Sequence, residues 1–300
     1  DSKAILRIGL KIPGLSNVFK KKLREAAGFG NSRFAISGAA PINPDILKLF
    51  QELDIPLFEG YGMTENTAGI TINFHGNNKI GSVGKCMPFF NVKIADDGEV
   101  LIKGDNVMKG YYKNPDATRE TIVDGWLRTG DVGKIDSEGF LSITGRKKEI
   151  YVSSSGKNVA PLVIEETIKS IPIISQCFLV GDNRKYCSAL VTLDMGVILR
   201  DKIGIEATEI PKDPVEQNQM IMDHGKNLSD FTDSKEMHAE LSKEVDRLNQ
   251  NFSNPEQIKK FSILPRDFSI DEGELTPTLK IRRKQINDNW TDTIDKMYSE

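Results

Sequence analysis

Residues 33–60 carry two short apolar runs, Arg33-Phe34-Ala35-Ile36-Ser37 and Pro56-Leu57-Phe58-Glu59, on either side of a stretch with helical character. This strand–helix–strand rhythm predicts part of an α/β layer. The first run breaks at Gly38, and Pro41 and Pro44 bracket a turn. Asp45 is then the expected N-cap of a helix through Leu53, and the second run stops at Gly60. Upstream, residues 1–31 read as helical, with Lys20, Lys21, Lys22 and Arg24 on a solvated face.

From about residue 70 to 145 the pattern changes. Short β segments are expected at Ile80–Val83, Asn91–Ile94, Glu99–Ile102, Gly133–Ile135 and Phe140–Ile143. Asp97-Gly98 and Glu138-Gly139 fit hairpin turns, so a barrel or curled sheet is expected here. Beyond Gly145, Val163–Ser170 reads as helix and Ser175–Val180 and Ala189–Leu193 as strands. Residues 196–260 are charged and largely helical, with Met237, Leu241, Val245, Leu248 and Phe252 forming one apolar stripe. A final helix is expected to carry Ile286, Trp290 and Ile294.

A net charge of −3 gives no general attraction to nucleic acid. No run of 18 apolar residues suits a membrane span. Cys86, Cys177 and Cys187 lack disulfide or zinc spacing and read as small buried residues of a reducing compartment, which makes a cytoplasmic location the expectation. The histidines His75, His224 and His238 have no metal-type spacing.

Six segments carry the chemistry. Tyr61-Gly62-Met63-Thr64-Glu65 sets a glycine, a hydroxyl and a carboxylate at a strand end, where nucleotide and metal contacts are made. Ser37-Gly38-Ala39-Ala40-Pro41 is a small-residue turn that lets backbone approach a flat ring. Gly84-Lys85-Cys86-Met87-Pro88 follows, then Trp126-Leu127-Arg128-Thr129-Gly130-Asp131, whose carboxylate suits the two hydroxyls of a ribose. The last are Gly145-Arg146-Lys147-Lys148-Glu149-Ile150 and Leu275-Thr276-Pro277-Thr278-Leu279-Lys280. Taken singly, each has a structural reading: Glu65 as a turn cap, Asp131 as a turn aspartate, Lys280 as one of 40 basic residues.

In this order and at these spacings, the six segments resemble the later core motifs of the adenylate-forming superfamily of acyl-CoA synthetases, peptide-synthetase adenylation domains and luciferases. The resemblance implies the C-terminal part of the large AMP-binding domain over residues 1–146 (an α/β remnant to 69, a β-rich subdomain from 70). It implies an α+β lid domain over 147–300 with a helical insert at about 196–260. Gly38, Ala39, Ala40 and Pro41 would line an adenine pocket, with Tyr61 stacked on the base and Gly62 beside it. Thr64 would bond the α-phosphate, Glu65 would hold Mg²⁺, and Asp131 and Arg146 would hold the ribose of ATP or AMP. Lys148 falls at the hinge of the lid, Ser155-Gly156-Lys157-Asn158 forms the loop that nears the pantetheine of coenzyme A, and Lys280 is the catalytic lysine.

Two features depart from the family pattern. Many members have glycine before the catalytic lysine, whereas Leu279 stands here; the form Leu-Thr-Pro-Thr-Leu-Lys resembles the long-chain fatty acid branch. The Ser/Thr/Gly-rich phosphate loop is also lacking ahead of Ser37, so the sequence is expected to be a piece of a longer protein that holds the phosphate loop and much of the acyl site. The implied activity is conversion of a fatty acid, ATP and coenzyme A to acyl-CoA, with peripheral membrane contact left open. The alternatives are another acid–CoA ligase, a peptide-synthetase adenylation domain, or a binding module without turnover.

Overall fold

The computed structural model describes residues 15–153 and 156–299. The chain separates into two compact units, divided between Lys147 and Lys148. Among the described residues no helix is long and apolar enough to cross a membrane.

In the first unit, helix α1 (Leu15–Ala26) precedes strand β1 (Ala35–Ser37), helix α2 (Pro44–Glu52) and strand β2 (Leu57–Tyr61). Lys20 of α1 is not on a solvated face: its ammonium pairs with Asp54 at 3.0 Å, and Arg24 donates to the Asp54 carbonyl. β1 and β2 pair in parallel, Ala35 opposite Leu57 and Ser37 opposite Glu59, with α2 as the crossover. The cap of α2 is Asn43 rather than Asp45. Pro44 takes the first helical position, where its missing N–H costs nothing, and the Asn43 side-chain oxygen accepts from the Asp45 N–H at 2.8 Å.

Strands β3 (Thr71–Ile72) and β4 (Lys85–Cys86) add antiparallel to β2, giving one sheet in the order β1-β2-β3-β4. Residues 80–83, expected as a strand, form a turn instead. Asn73 holds it, accepting from the Lys79 N–H at 2.9 Å and donating to the Ser82 carbonyl at 2.7 Å. The first sheet therefore reaches Cys86, past the change of sequence pattern near residue 70.

The second sheet holds β5 (Asn91–Ile94), β6 (Glu99–Lys103), β7 (Ile122–Val123), β8 (Trp126–Ile135) and β9 (Leu141–Arg146), with helix α3 (Pro115–Thr121) before β7. Its order is β5-β6-β8-β7, and β9 joins the far end of β8. β8 changes partner along its length: Trp126 and Leu127 pair with β7, Asp131–Ile135 with β9. Register shifts on both sides of β8 bend it there, yet the described strands form an open sheet rather than a closed barrel. Ile70, Ile102 and Leu127 are fully buried between the sheets, packed by Tyr61, Met63 and Phe90.

The second unit begins with the hairpin β10 (Tyr151–Val152) and β11 (Asn158–Val159) and helix α4 (Pro161–Ile168). A three-stranded sheet follows, with β12 (Ile174–Val180) antiparallel to β13 (Cys187–Leu193). Residues 196–260 supply helices α5 (Pro214–Asp223) and α6 (Lys235–Asn249). They also lead into a strand that the sequence pattern conceals, β14 (Ile258–Ile263), which lies parallel to β13. One sheet face buries Cys177, Leu179, Ala189 and Val191 against Ile164, Leu241 and Val245. The other buries Phe178, Val180 and Leu190 against Ile286, Ile294 and Met297. The single expected C-terminal helix is two, α7 (Arg283–Asn289) and α8 (Thr291–Tyr298), broken at Trp290, whose indole N–H donates to the buried Glu274 at 2.8 Å.

Candidate functional site

Asp131 sits where β8 bends, and the residue is buried at 6% exposure. The left-handed Gly130 before it (φ 71°) lets the chain turn, and the Asp131 N–H donates to the Thr129 hydroxyl at 3.0 Å. The Tyr61 hydroxyl donates to Oδ2 of Asp131 at 2.6 Å, and Arg146 Nε lies 3.0 Å from Oδ1. Tyr61 ends β2, while Arg146 ends β9 opposite Asp131 in register, so both sheets converge on one carboxylate. Burial, with the Asp131 charge alongside, pushes the Tyr61 hydroxyl far above the ordinary phenol value and keeps it a donor.

Thr64 and Glu65 open a short 3₁₀ turn, Thr64–Asn66, two residues past the end of β2. The Asn66 side chain accepts from the Met63 N–H at 2.7 Å, fixing the entry to the turn. Gly62 is dictated by its surroundings: a β-carbon there would stand 1.7 Å from the Ala68 carbonyl oxygen. Thr64 is exposed and Glu65 half-buried, with Oε1 accepting from the Tyr111 hydroxyl at 2.9 Å. Gly38, Ala39, Ala40 and Pro41 form an exposed turn after β1, with Ala39 left-handed at φ 69°. Glu59 underpins that turn: its buried carboxylate accepts from the Ile42 N–H at 3.1 Å, and burial raises its pKa despite that bond. The first unit thus gathers the Gly38–Pro41, Tyr61–Glu65, Asp131 and Arg146 segments around the carboxyl ends of β1 and β2 and the bend of β8.

In the second unit, exposed Lys148 is the first residue. Gly156 (φ 76°) and Lys157 close the β10–β11 hairpin, where the Ser153 N–H donates to the Lys157 carbonyl at 2.8 Å. Ser155 lies outside the described residues. Lys280 sits on an exposed loop closed by a bridge between Leu275 and Ile281, its N–H donating to the Thr276 hydroxyl at 3.0 Å. At the base of the loop Glu274 is fully buried and takes both ends of the Arg266 guanidinium, at 2.6 and 2.9 Å. Leu279 is left-handed at φ 59°, the conformation that glycine adopts without strain.

Sequence reasoning missed several supports. Tyr111 was signalled only as one of two tyrosines after a glycine. Glu99, which accepts from the Gly130 N–H at 3.0 Å and meets Lys147 at 3.0 Å, stood in an ordinary strand pattern. Arg283 reads as one cation in a basic run, yet its guanidinium bonds Glu149 at 3.0 Å and the buried Glu165 at 2.6 Å. No local pattern announces a pairing across more than 100 residues.

Two family profiles place the chain among the AMP-binding enzymes. The AMP-binding enzyme profile matches residues 11–112, and that of the AMP-binding enzyme C-terminal domain matches residues 148–209; the chain belongs to this family. It is 41% identical over 280 residues to the long-chain-fatty-acid–CoA ligase FadD15 of Mycobacterium bovis, covering 93% of this chain and 44% of that protein. It is 35% identical over 289 residues to the long-chain-fatty-acid–CoA ligase ACSBG1 of Rattus norvegicus, covering 93% of this chain and 40% of that protein. The chain thus spans less than half the length of these curated relatives. The fold is similar to that of o-succinylbenzoate CoA synthetase (MenE) from Bacillus subtilis in complex with its acyl-adenylate intermediate. There the TM-score is 0.63 at 24% identity, over 90% of this chain and 49% of that one.

Proposed function

We propose that the protein carrying this chain is an AMP-forming long-chain-fatty-acid–CoA ligase. In the first step the fatty acid carboxylate attacks the α-phosphorus of ATP and diphosphate leaves. In the second the thiolate of coenzyme A attacks the acyl-adenylate carbonyl, AMP leaves, and the thiol proton passes to solvent. The observation that carries this reading is the Tyr61–Asp131–Arg146 cluster beside the Thr64–Glu65 turn. The relatives that match 93% of the chain support the choice of acid.

In this reading Asp131, oriented by Tyr61 and Arg146, accepts from the two ribose hydroxyls, and the Gly38–Pro41 turn lies along the adenine. Thr64 donates to the α-phosphate. Glu65 fits a magnesium site as one carboxylate steadied by Tyr111, because Mg²⁺ takes one or two protein carboxylates and completes its shell with phosphates and water. The ion would neutralise charge on the transferring phosphoryl group. Lys280 offsets the repulsion between carboxylate and phosphate, an effect worth several kcal/mol in a closed site. Lys148, at the division between the units, serves as the hinge, and Ser155, Gly156 and Lys157 serve the coenzyme A step.

The test is ATP–diphosphate exchange with palmitate and with shorter acids, on the 300-residue chain and on the full-length protein. Exchange by the full-length protein alone, strongest with palmitate and lost on Lys280→Ala, is the expected result. Silence of the full-length protein with every fatty acid overturns the substrate and moves attention to amino and aryl acids.

A further inference from the structure

The turn that carries Thr64 and Glu65 runs into strained backbone. Thr67 and Ala68 follow it at φ 58° and 75°, two successive left-handed residues that are not glycine. A β-branched threonine rarely adopts that conformation, which persists only where the surroundings hold it. Two bonds close the turn locally, from the Thr67 N–H to the Thr64 carbonyl at 3.2 Å and from the Ala68 N–H to the Met63 carbonyl at 3.1 Å. The other restraints come from the segment that follows β6, 40 residues further along the chain.

That segment holds the turn residue by residue. The Met108 N–H donates to the Glu65 carbonyl at 2.7 Å, and the Tyr111 hydroxyl to the Glu65 carboxylate at 2.9 Å. The Thr67 hydroxyl donates back to the Asn106 carbonyl at 2.9 Å. Asn106 itself bridges the strained pair: Nδ2 donates to the Asn66 carbonyl at 3.0 Å and to the Gly69 carbonyl at 3.3 Å, which uses both of its N–H groups. Gly104 leaves room for this side chain, since a β-carbon there would stand 2.9 Å from the Asn106 Oδ1. That Oδ1 is buried without a hydrogen-bond partner, as is Nδ2 of the fully buried Asn66. Only three buried side-chain polar atoms among the described residues are in this condition, and two of them lie at this turn. Buried unpaired polar atoms destabilise a fold. Stability alone therefore does not account for Asn106, whereas holding one backbone shape does.

We propose that Asn106 is a positioning residue, whose paired N–H groups clamp the Thr64–Asn66 turn so that the Thr64 hydroxyl and the Glu65 carboxylate stay aimed at the phosphates of ATP. The role rests on the ligase reading, while the clamp itself is a property of the chain. Asn106 touches no reacting atom. It acts through the turn, and a displacement of about 1 Å there is enough to cost a large factor in rate. A carboxylate in its place would have the same shape but no donor to offer the two carbonyls.

The experiment compares Asn106→Ala, Asn106→Asp and Asn106→Gln by two readouts. In the 300-residue chain, amide hydrogen exchange is followed at Asn66, Thr67 and Ala68, with the strands β12 and β13 as the folded reference. Asn106→Ala and Asn106→Asp should speed exchange at those three amides about ten-fold or more and leave the reference unchanged. In the full-length protein, ATP–diphosphate exchange is measured with palmitate. The same two variants should lower kcat about ten-fold or more and raise the Mg²⁺ concentration for half the maximal rate, with the KM for palmitate unchanged. Asn106→Gln, which keeps the donor, should recover part of both effects. Parental exchange and parental kcat in Asn106→Asp overturn the proposal, because the side chain then only fills space. Loss of protection throughout the first unit overturns it too, as that marks ordinary support of the fold. So does a higher KM for palmitate at unchanged kcat. A silent full-length parent overturns the ligase reading instead, and the local amide exchange then decides the clamp by itself.

Discussion

The hydroxyl of Tyr61 and the carboxylate of Asp131, 70 residues apart in sequence, meet at 2.6 Å and join the last residue of β2 to the bend of β8. Arg146 closes the same carboxylate from the other side at 3.0 Å. Removing the hydroxyl leaves a buried acceptor short of a donor, which costs about 2 kcal/mol when that acceptor is charged. Tyr61→Phe is therefore expected to lower the unfolding free energy of the chain by that amount, read as a lower urea midpoint at an unchanged slope. In the full-length protein it should raise the KM for ATP. An unchanged midpoint would show that the bond contributes nothing to the fold.

How much of this was legible beforehand varies element by element. The parallel β1–β2 pair, the Asp97-Gly98 and Glu138-Gly139 hairpins and the apolar stripe of α6 follow from local periodicity and turn chemistry, which a sequence displays directly. β14 does not, because Lys259, Lys260 and Ser262 interrupt its apolar pattern and its place is set by β13. The α7–α8 break is equally hidden, since Glu274 draws in the Trp290 indole from 16 residues away. The motif residues were visible as motifs. Their supports, Glu59, Glu99, Tyr111 and Glu165, were not, because burial and long-range pairing leave no local trace.

Glu59 offers a test through pH. Burial raises its folded pKa, partly offset by the Ile42 N–H. A carboxyl group raised on folding favours the protonated form, so its contribution is fully present below the unfolded value and is lost as pH rises through the folded one. Glu59→Gln keeps an acceptor for Ile42 and removes the buried charge. The variant should be more stable than the parent by about 1 kcal/mol at pH 7, with the gain vanishing as pH falls below the ordinary carboxylate range. A loss of stability at neutral pH would show that the ionised form is needed where it stands.

Gly62 and Gly28 separate steric crowding from backbone strain. At Gly62 a β-carbon would lie 1.7 Å from the Ala68 carbonyl oxygen and 2.5 Å from its carbon, and nothing flexible is there to yield. Gly62→Ala is expected to cost about 3 kcal/mol or more. Gly28 is left-handed (φ 81°) but has open space around it, so Gly28→Ala should cost only about 1 kcal/mol. Chemical unfolding of both variants checks the contrast, and equal costs would refute the contact.

Leu279 is the reverse case. It holds φ 59° at the tip of the Lys280 loop and leaves 67% of itself exposed. The left-handed conformation costs a leucine about 1–2 kcal/mol, while glycine in its place loses about 0.5–1 kcal/mol through unfolded-chain entropy. Leu279→Gly should thus leave the chain as stable as before or up to about 1 kcal/mol more so, although it removes an apolar side chain. A clear loss of stability in thermal unfolding would mean that the exposed leucine is held by packing that offsets its strain.

Arg283 bonds Glu149, the neighbour of Lys148, at 3.0 Å and Glu165 at 2.6 Å, while the other Glu165 oxygen accepts from the Leu179 N–H at 2.7 Å. Burial raises the Glu165 pKa, and the guanidinium works against that rise. Arg283→Gln leaves a buried carboxylate unpaired and is expected to cost about 3–5 kcal/mol at neutral pH. Its carboxyl then rises further on folding, so the stability it retains is present below the unfolded value and is lost as pH climbs through the folded one. The deficit against the parent should accordingly shrink toward acid pH. Glu165→Gln combined with Arg283→Gln should recover part of the loss, because no bare charge remains. Urea midpoints of the three variants across pH decide the matter: a deficit that is flat with pH, or a double variant no better than the single, would mean that Arg283 acts through packing rather than through its charge on Glu165.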